Sequence, residues 1–172
     1  APLLGPLTIE DAGHFGRIVR EGFNDPEELI DGVTYVKAAE VIRMLRLIIG
    51  PEAFQAGKRL YFSRYRAGNA NTDQFFECFE EVSGVSLDQF KSEWLYRIGY
   101  PKVSAVTEYD KEAGRFHIRF KQEKQEGLRP FFLPIAVSLV DGKGRDIEGT
   151  ERVVTLKEFE TEVFFENIKE PP

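Results

Sequence analysis

Asp31-Gly32-Val33-Thr34-Tyr35-Val36-Lys37-Ala38-Ala39-Glu40-Val41-Ile42-Arg43-Met44-Leu45 is the stretch that decides the reading of this chain. The apolar residues Val36, Ala39, Ile42 and Leu45, continued by Ile49, follow the three- and four-residue steps of an amphipathic helix. The spacing predicts a helix from about Tyr35 to Ile49, with a tyrosine at its mouth and a small Ala38-Ala39 pair one turn later. Gly50-Pro51 ends that helix and starts another.

Helical periodicity continues outward on both sides. Upstream, Asp25-Pro26-Glu27-Glu28 reads as a cap, a first-turn proline and two acids that complement the helix dipole. Thr8 is a candidate cap for a turn through Asp11, while Gly13 and Gly16 make residues 10–20 loop-like. Downstream, Glu52 to Arg66 carries Phe54, Tyr61, Phe62 and Tyr65 at helical spacing, with Gly57 allowing a neighbouring helix to come close. Asn71 with Gln74, and Ser86 with Gln89, match the pattern in which cap and third residue satisfy free N–H groups. The first leads into Phe75, Phe76, Phe79 and Val82, the second into Phe90, Trp94, Leu95 and Ile98.

The period becomes two after Gly99-Tyr100-Pro101. Arg115 to Lys121 alternates without a break, so Phe116, Ile118 and Phe120 face a core while Arg115, His117, Arg119 and Lys121 face water. Val103 to Tyr109 is its hairpin partner. A longer strand is expected from Phe131 to Val140, with Pro134 marking an edge or bulge. A short strand near Arg145 to Ile147, then Arg152 to Leu156 and Glu162 to Ile168, complete the set. The fold class is therefore α+β. A helical subdomain over residues 1–100 precedes a small antiparallel, immunoglobulin-like β-sandwich over 101–172.

Composition narrows the function. Hydrophobic residues make up 42% of the 172, with 15 Phe, enough to build real cores. A net charge of −6 with interspersed Lys and Arg argues against nucleic acid as a partner. Lys121-Gln122-Glu123-Lys124 reads as solvated surface. No apolar run reaches the roughly 18 to 20 residues of a membrane span. The single cysteine, Cys78, can make no internal disulfide and implies no oxidising compartment. Localisation stays open, with the cytoplasm favoured.

The opening stretch resembles the D-x-x-x-Y-x-K-G-A-x-V-I-R-M-L segment of zinc aminopeptidases of the aminopeptidase N (alanyl aminopeptidase) type. Further phrases of that family follow in order: Gly50 to Phe54, Gly57 to Phe62, Ala70 to Phe75, Ser83 to Phe90, Trp94, and Gly99 to Val103. Leu133 to Leu139 with Asp141-Gly142 resembles a strand of the family's β-sandwich, and Glu10-Asp11-Ala12-Gly13 its E-D-A-G loop. The resemblance implies that Tyr35 is catalytic, donating a hydrogen bond to the oxyanion formed when zinc-activated water attacks the first peptide bond. It also implies that residues 1–100 are the C-terminal helical part of a thermolysin-like catalytic domain. Departures are Ala38 where the family has Gly, Val36 in place of an acid, and Arg17 to Glu21 in place of H-P-V-R-P.

The zinc-binding part of such an enzyme is not in these residues. A catalytic zinc takes about three protein ligands, which the family draws from H-E-x-x-H and a later Glu. His14 and His117 stand far apart and neither begins that motif, and the G-x-M-E-N segment for the substrate amine is missing too. The chain reads as a middle piece of a zinc enzyme, inactive alone. Its partners would be an N-terminal catalytic segment and a C-terminal domain of the same polypeptide, with peptide as substrate. An exposed apolar patch is expected where the missing part would pack. The alternative is a non-catalytic protein-binding module or a pseudo-enzyme relic. His117 is expected to be a solvated strand residue, His14 a loop residue and Cys78 a partly buried helix residue. Asp73, Glu80 and Glu81 read as caps and surface acids, and Arg43 and Arg46 as ion-pairing residues.

Overall fold

The computed structural model describes residues 16–172. It divides into two compact units, one ending at Gly99 and the other beginning at Tyr100. The first is helical and the second is an antiparallel β-sandwich, so the protein is α+β.

In the helical unit a short 3-10 turn, Pro26–Leu29, is capped by Asp25, whose side chain accepts the Glu27 N–H. A π-helical turn, Val33–Lys37, then leads without interruption into α1, Ala38–Ile49. The helix thus starts earlier than its apolar spacing predicts, and its buried face is different. Val33, Lys37, Val41, Met44 and Leu45 turn inward, while Ala39 is exposed and Val36 half-buried. The wide π turn shifts the inward stripe, and Lys37 can join it because its ammonium donates to the Gly16 carbonyl at 2.8 Å.

The helix α2, Pro51–Arg64, packs on α3, Thr72–Ser83. Gly57 is the point of contact: a Cβ there would lie 2.4 Å from the buried Phe79 ring. Phe79 lies 5.4 Å from Phe54 and 4.8 Å from Phe75, ring centre to ring centre. α3 opens on the expected capping box, Asn71 and Gln74 each satisfying the other's backbone N–H at 2.9 Å. It closes on Gly84 in the left-handed conformation (φ 68°), which a residue without Cβ adopts at little cost.

α4, Asp88–Leu95, starts otherwise than expected. Ser86 Oγ turns to the Asp88 carboxylate at 3.3 Å, and the Leu87 N–H donates instead to Glu80 Oε1 at 2.6 Å. Among the described residues no side chain of the N-cap residue makes the capping bond. The N-cap position falls on Leu87, one residue beyond Ser86. Phe76, Phe79, Phe90, Trp94 and Leu95 bury their side chains in this unit.

In the second unit β1, Val103–Asp110, pairs with β2, Arg115–Gln122, and β2 pairs with a later strand, β5, Glu160–Phe165. The other sheet holds β3, Leu133–Val137, and β4, Arg152–Leu156. Ile118, Phe120 and Phe165 of the first sheet share one core with Val154 and Leu156 of the second, and Leu139 and Ile168 close it. The alternation read for Arg115 to Lys121 sets this register. Pro134 sits in a two-stranded sheet, where each strand is an edge. The long strand expected from Phe131 stops at Val137, and the one near Arg145 reduces to a single bridge between Val140 and Asp146. Three ion pairs line the outer face: Arg115–Glu166 (2.8 Å), Arg119–Glu162 (2.7 Å) and Lys121–Glu160 (3.1 Å). Exposed as they are, such pairs are screened by water and add little, so the apolar core holds the sheets together.

Gln122 is the clearest correction in this unit. The sequence places it on a solvated surface, yet it is 2% exposed. Its amide accepts the Phe131 N–H at 3.0 Å and donates to the Phe131 carbonyl at 2.8 Å, mimicking a strand where none continues. Removing such a buried polar partner costs about 1 to 3 kcal/mol, so Gln122→Ala should lower the urea midpoint of the β unit by that equivalent. An unchanged midpoint would mean the clamp contributes nothing.

Candidate functional site

Tyr35 occupies the π turn, and its side chain is open to solvent, with the residue 66% exposed. The backbone beneath it is held from several directions. Its own N–H donates to the Asp31 carbonyl at 3.0 Å, and the Ala38 N–H reaches back to the Val33 carbonyl, the wide step of a π turn. Single π turns within helices recur at functional positions. Val33, 1% exposed, anchors the turn from below.

Three side chains pin its leading edge. Asp31 Oδ1 accepts the Thr34 N–H at 2.9 Å, in the manner of a helix cap. Asp31 Oδ2 accepts from Arg20 Nη1 at 2.8 Å. Arg20 Nη2 donates to Thr34 Oγ1 at 2.9 Å and closes a triangle. Arg20 is itself held in place, because the preceding residue, Val19, donates its N–H to the Leu95 carbonyl at the end of α4. A chain of contacts therefore runs from α4 through Val19, Arg20 and Asp31 to the tyrosine.

Burial works to raise the Asp31 carboxyl, but hydrogen bonds from Arg20 and Thr34 outweigh it and hold the group below its ordinary 3.8. A carboxylate lowered by folding stabilises the fold fully above its unfolded value and loses that contribution as pH falls through the folded one. The thermal midpoint of the helical unit should accordingly drop with acidification below the ordinary carboxylate range. Asp31→Asn should flatten that part of the profile. A variant and parent with parallel acid limbs would show that Asp31 is not the group responsible.

The other candidates lie apart from chemistry. His117 is not solvated as expected: its side chain is 15% exposed and its ring stacks on Phe164 at 4.3 Å, with an 8° tilt. Cys78 is fully buried, its thiol donating to the Gln74 carbonyl at 3.3 Å. Arg43 pairs with Glu40 and Glu81 with Arg64. Thr8, the Glu10-to-Gly13 loop and His14 lie outside the described residues. An apolar hollow of about 280 Å³, lined by Ile18, Val19, Ala38, Ile42, Tyr61 and Phe75 among others, does not include Tyr35. Among the described residues no three His, Cys, Asp or Glu side chains converge to hold a metal ion.

The triangle around Tyr35 was missed by sequence reasoning. One local signal existed: Asp31 stands three residues before Thr34, the spacing of a cap and the N–H it satisfies. Arg20 carried none, because it is brought in by a contact spanning eleven residues.

Residues 15–94 match the Peptidase family M1 domain, and residues 99–172 match a domain of unknown function with an Ig-like fold. The chain belongs to peptidase family M1. It is 34% identical to aminopeptidase N of Caulobacter vibrioides over 169 residues, covering 95% of this chain and 19% of that protein. It is also 34% identical to aminopeptidase N of Escherichia coli over 118 residues, 66% of this chain and 13% of that protein. A crystal structure of Legionella pneumophila aminopeptidase A in complex with aspartic acid superposes with a TM-score of 0.80 at 24% identity. That match covers 91% of this chain and 18% of the other, and establishes the fold. The chain thus spans less than a fifth of the length of each of these relatives.

Proposed function

We propose that this chain is part of a zinc-dependent aminopeptidase that removes N-terminal residues from peptides, and that Tyr35 stabilises the transition state. Residues 1–100 would form the C-terminal helical part of a thermolysin-like catalytic domain, and 101–172 a structural sandwich. The zinc ligands would come from residues outside this chain. Bound there, zinc would supply an activated water.

The exposure of Tyr35 on a braced turn carries this reading. A tyrosine serving only the core would bury its ring, as Tyr61 does in part, edge-on to Phe75 at 5.1 Å. Tyr35 instead keeps its phenol in the open on a backbone held by hydrogen bonds with Asp31 and Arg20. Peptide hydrolysis passes through a tetrahedral intermediate whose oxygen becomes negative, and a neutral phenol O–H is a suitable donor to it. A donor fixed beforehand needs no reorganisation when that charge develops, which is where catalytic benefit arises.

The test is the activity of Tyr35→Phe in the full-length, zinc-loaded protein, with zinc content measured alongside. Near-normal turnover would reject the role of the phenol.

A further inference from the structure

Arg20, Asp31 and Thr34 form a closed triangle of three hydrogen bonds, each between 2.8 and 2.9 Å, on the residues just before Tyr35. Two features show that the triangle does more than cap a helix. The Arg20 side chain is only 9% exposed, so its guanidinium gives up most of its hydration to sit here. Among the described residues its buried Nε has no hydrogen-bond partner, while both terminal nitrogens reach the turn. Furthermore, the helix beyond already has ample support, with Val33, Val41, Met44 and Leu45 buried. The element left to be positioned is the turn itself, whose Tyr35 side chain projects into solvent and makes little packing of its own.

We propose that Asp31 is a positioning residue for the Tyr35 phenol, locked by Arg20 and Thr34, and that it acts on catalysis only through Tyr35. This rests on the reading of Tyr35 as the oxyanion donor. Asp31 holds the turn at two successive amides: its carboxylate takes the Thr34 N–H and its carbonyl takes the Tyr35 N–H. Arg20 prevents the carboxylate from swinging toward water, and the Thr34 hydroxyl keeps Arg20 in register. Loosening any corner lets the turn slip toward ordinary α-helical winding and carries the phenol away from its target. Displacements of the order of 1 Å can lower rates about a hundredfold, so a small change of winding suffices.

A double-mutant cycle in the full-length, zinc-loaded enzyme tests this. Asp31→Asn and Thr34→Val should each lower kcat roughly tenfold or more with KM nearly unchanged. Thr34→Ser, which keeps the hydroxyl, should retain activity. In a Tyr35→Phe background Asp31→Asn should lower kcat no further. In the 172-residue chain itself, Asp31→Asn should speed hydrogen exchange at the Thr34 and Tyr35 amides. Effects of Asp31→Asn and Tyr35→Phe that multiply would overturn the proposal, as would normal kcat in both Asp31→Asn and Thr34→Val. Should Asp31→Asn fail to fold, Thr34→Val and its serine counterpart decide the matter. If Tyr35→Phe alone turns over normally, the oxyanion reading fails first, an outcome distinct from a failure of Asp31.

Discussion

Tyr35→Phe is expected to lower kcat of the full-length, zinc-loaded enzyme by about 10²- to 10³-fold, leaving KM and zinc content near their starting values. The substitution removes one hydroxyl from a ring that is already exposed, so the fold has almost nothing to lose. Surface changes of this kind usually move stability by about 0.5 kcal/mol or less. Loss of a donor that acts on the developing oxyanion is, by contrast, worth about 3 to 4 kcal/mol in the transition state. The gap between those magnitudes makes the result readable: a large fall in kcat with an unchanged melting temperature can come only from chemistry. A donor that bound ground and transition states equally would show itself in KM instead.

Phe79→Ala is the substitution expected to damage the fold most, by about 3 to 5 kcal/mol, against a total stability of about 5 to 15 kcal/mol for a domain. Phe79 is fully buried and touches the rings of Phe54 and Phe75. The site cannot easily collapse, because the residue facing it is Gly57, which has no side chain to move into the gap. Urea unfolding of the 172-residue chain would read the loss. Gly57 offers a check of opposite sign. In the parent, Gly57→Ala drives a Cβ to 2.4 Å from the Phe79 ring, and overpacking of that kind costs about 1 to 3 kcal/mol. That outweighs the gain of roughly 1 kcal/mol from replacing glycine by alanine in a helix. Once Phe79 is alanine the clash is gone, and Gly57→Ala should stabilise. The same sign in both backgrounds would show that Phe79 does not explain the glycine.

Phe79 and Gly57 fasten α2 to α3, whereas the turn at Tyr35 is fastened to the end of α4 through Val19 and Arg20. The first contact bears on the stability of the unit, the second on the turn that carries Tyr35. Catalytic groups depend on this separation, since a side chain free enough to meet a substrate must borrow its rigidity from the backbone below.

The sequence by itself determined what local chemistry determines. The period of 3.6 changing to two after Gly99, the capping box at Asn71 and the alternation from Arg115 to Lys121 specify a helical unit before an antiparallel sandwich. The order of motifs around Tyr35 identified the family. Only the tertiary structure decided which polar residues are buried and what they hold. Gln122 reads as a surface residue until a loop backbone is seen to satisfy it, and Lys37 is buried with its ammonium on the Gly16 carbonyl. Glu80 likewise reaches the Leu87 N–H from the preceding helix, and Arg20 meets Asp31 beside a residue bonded to the end of α4. Hydrophobic period and capping act over three or four residues and leave their mark in the string. A buried polar group is tolerable only if a partner arrives from elsewhere, and that arrival is a property of the folded chain.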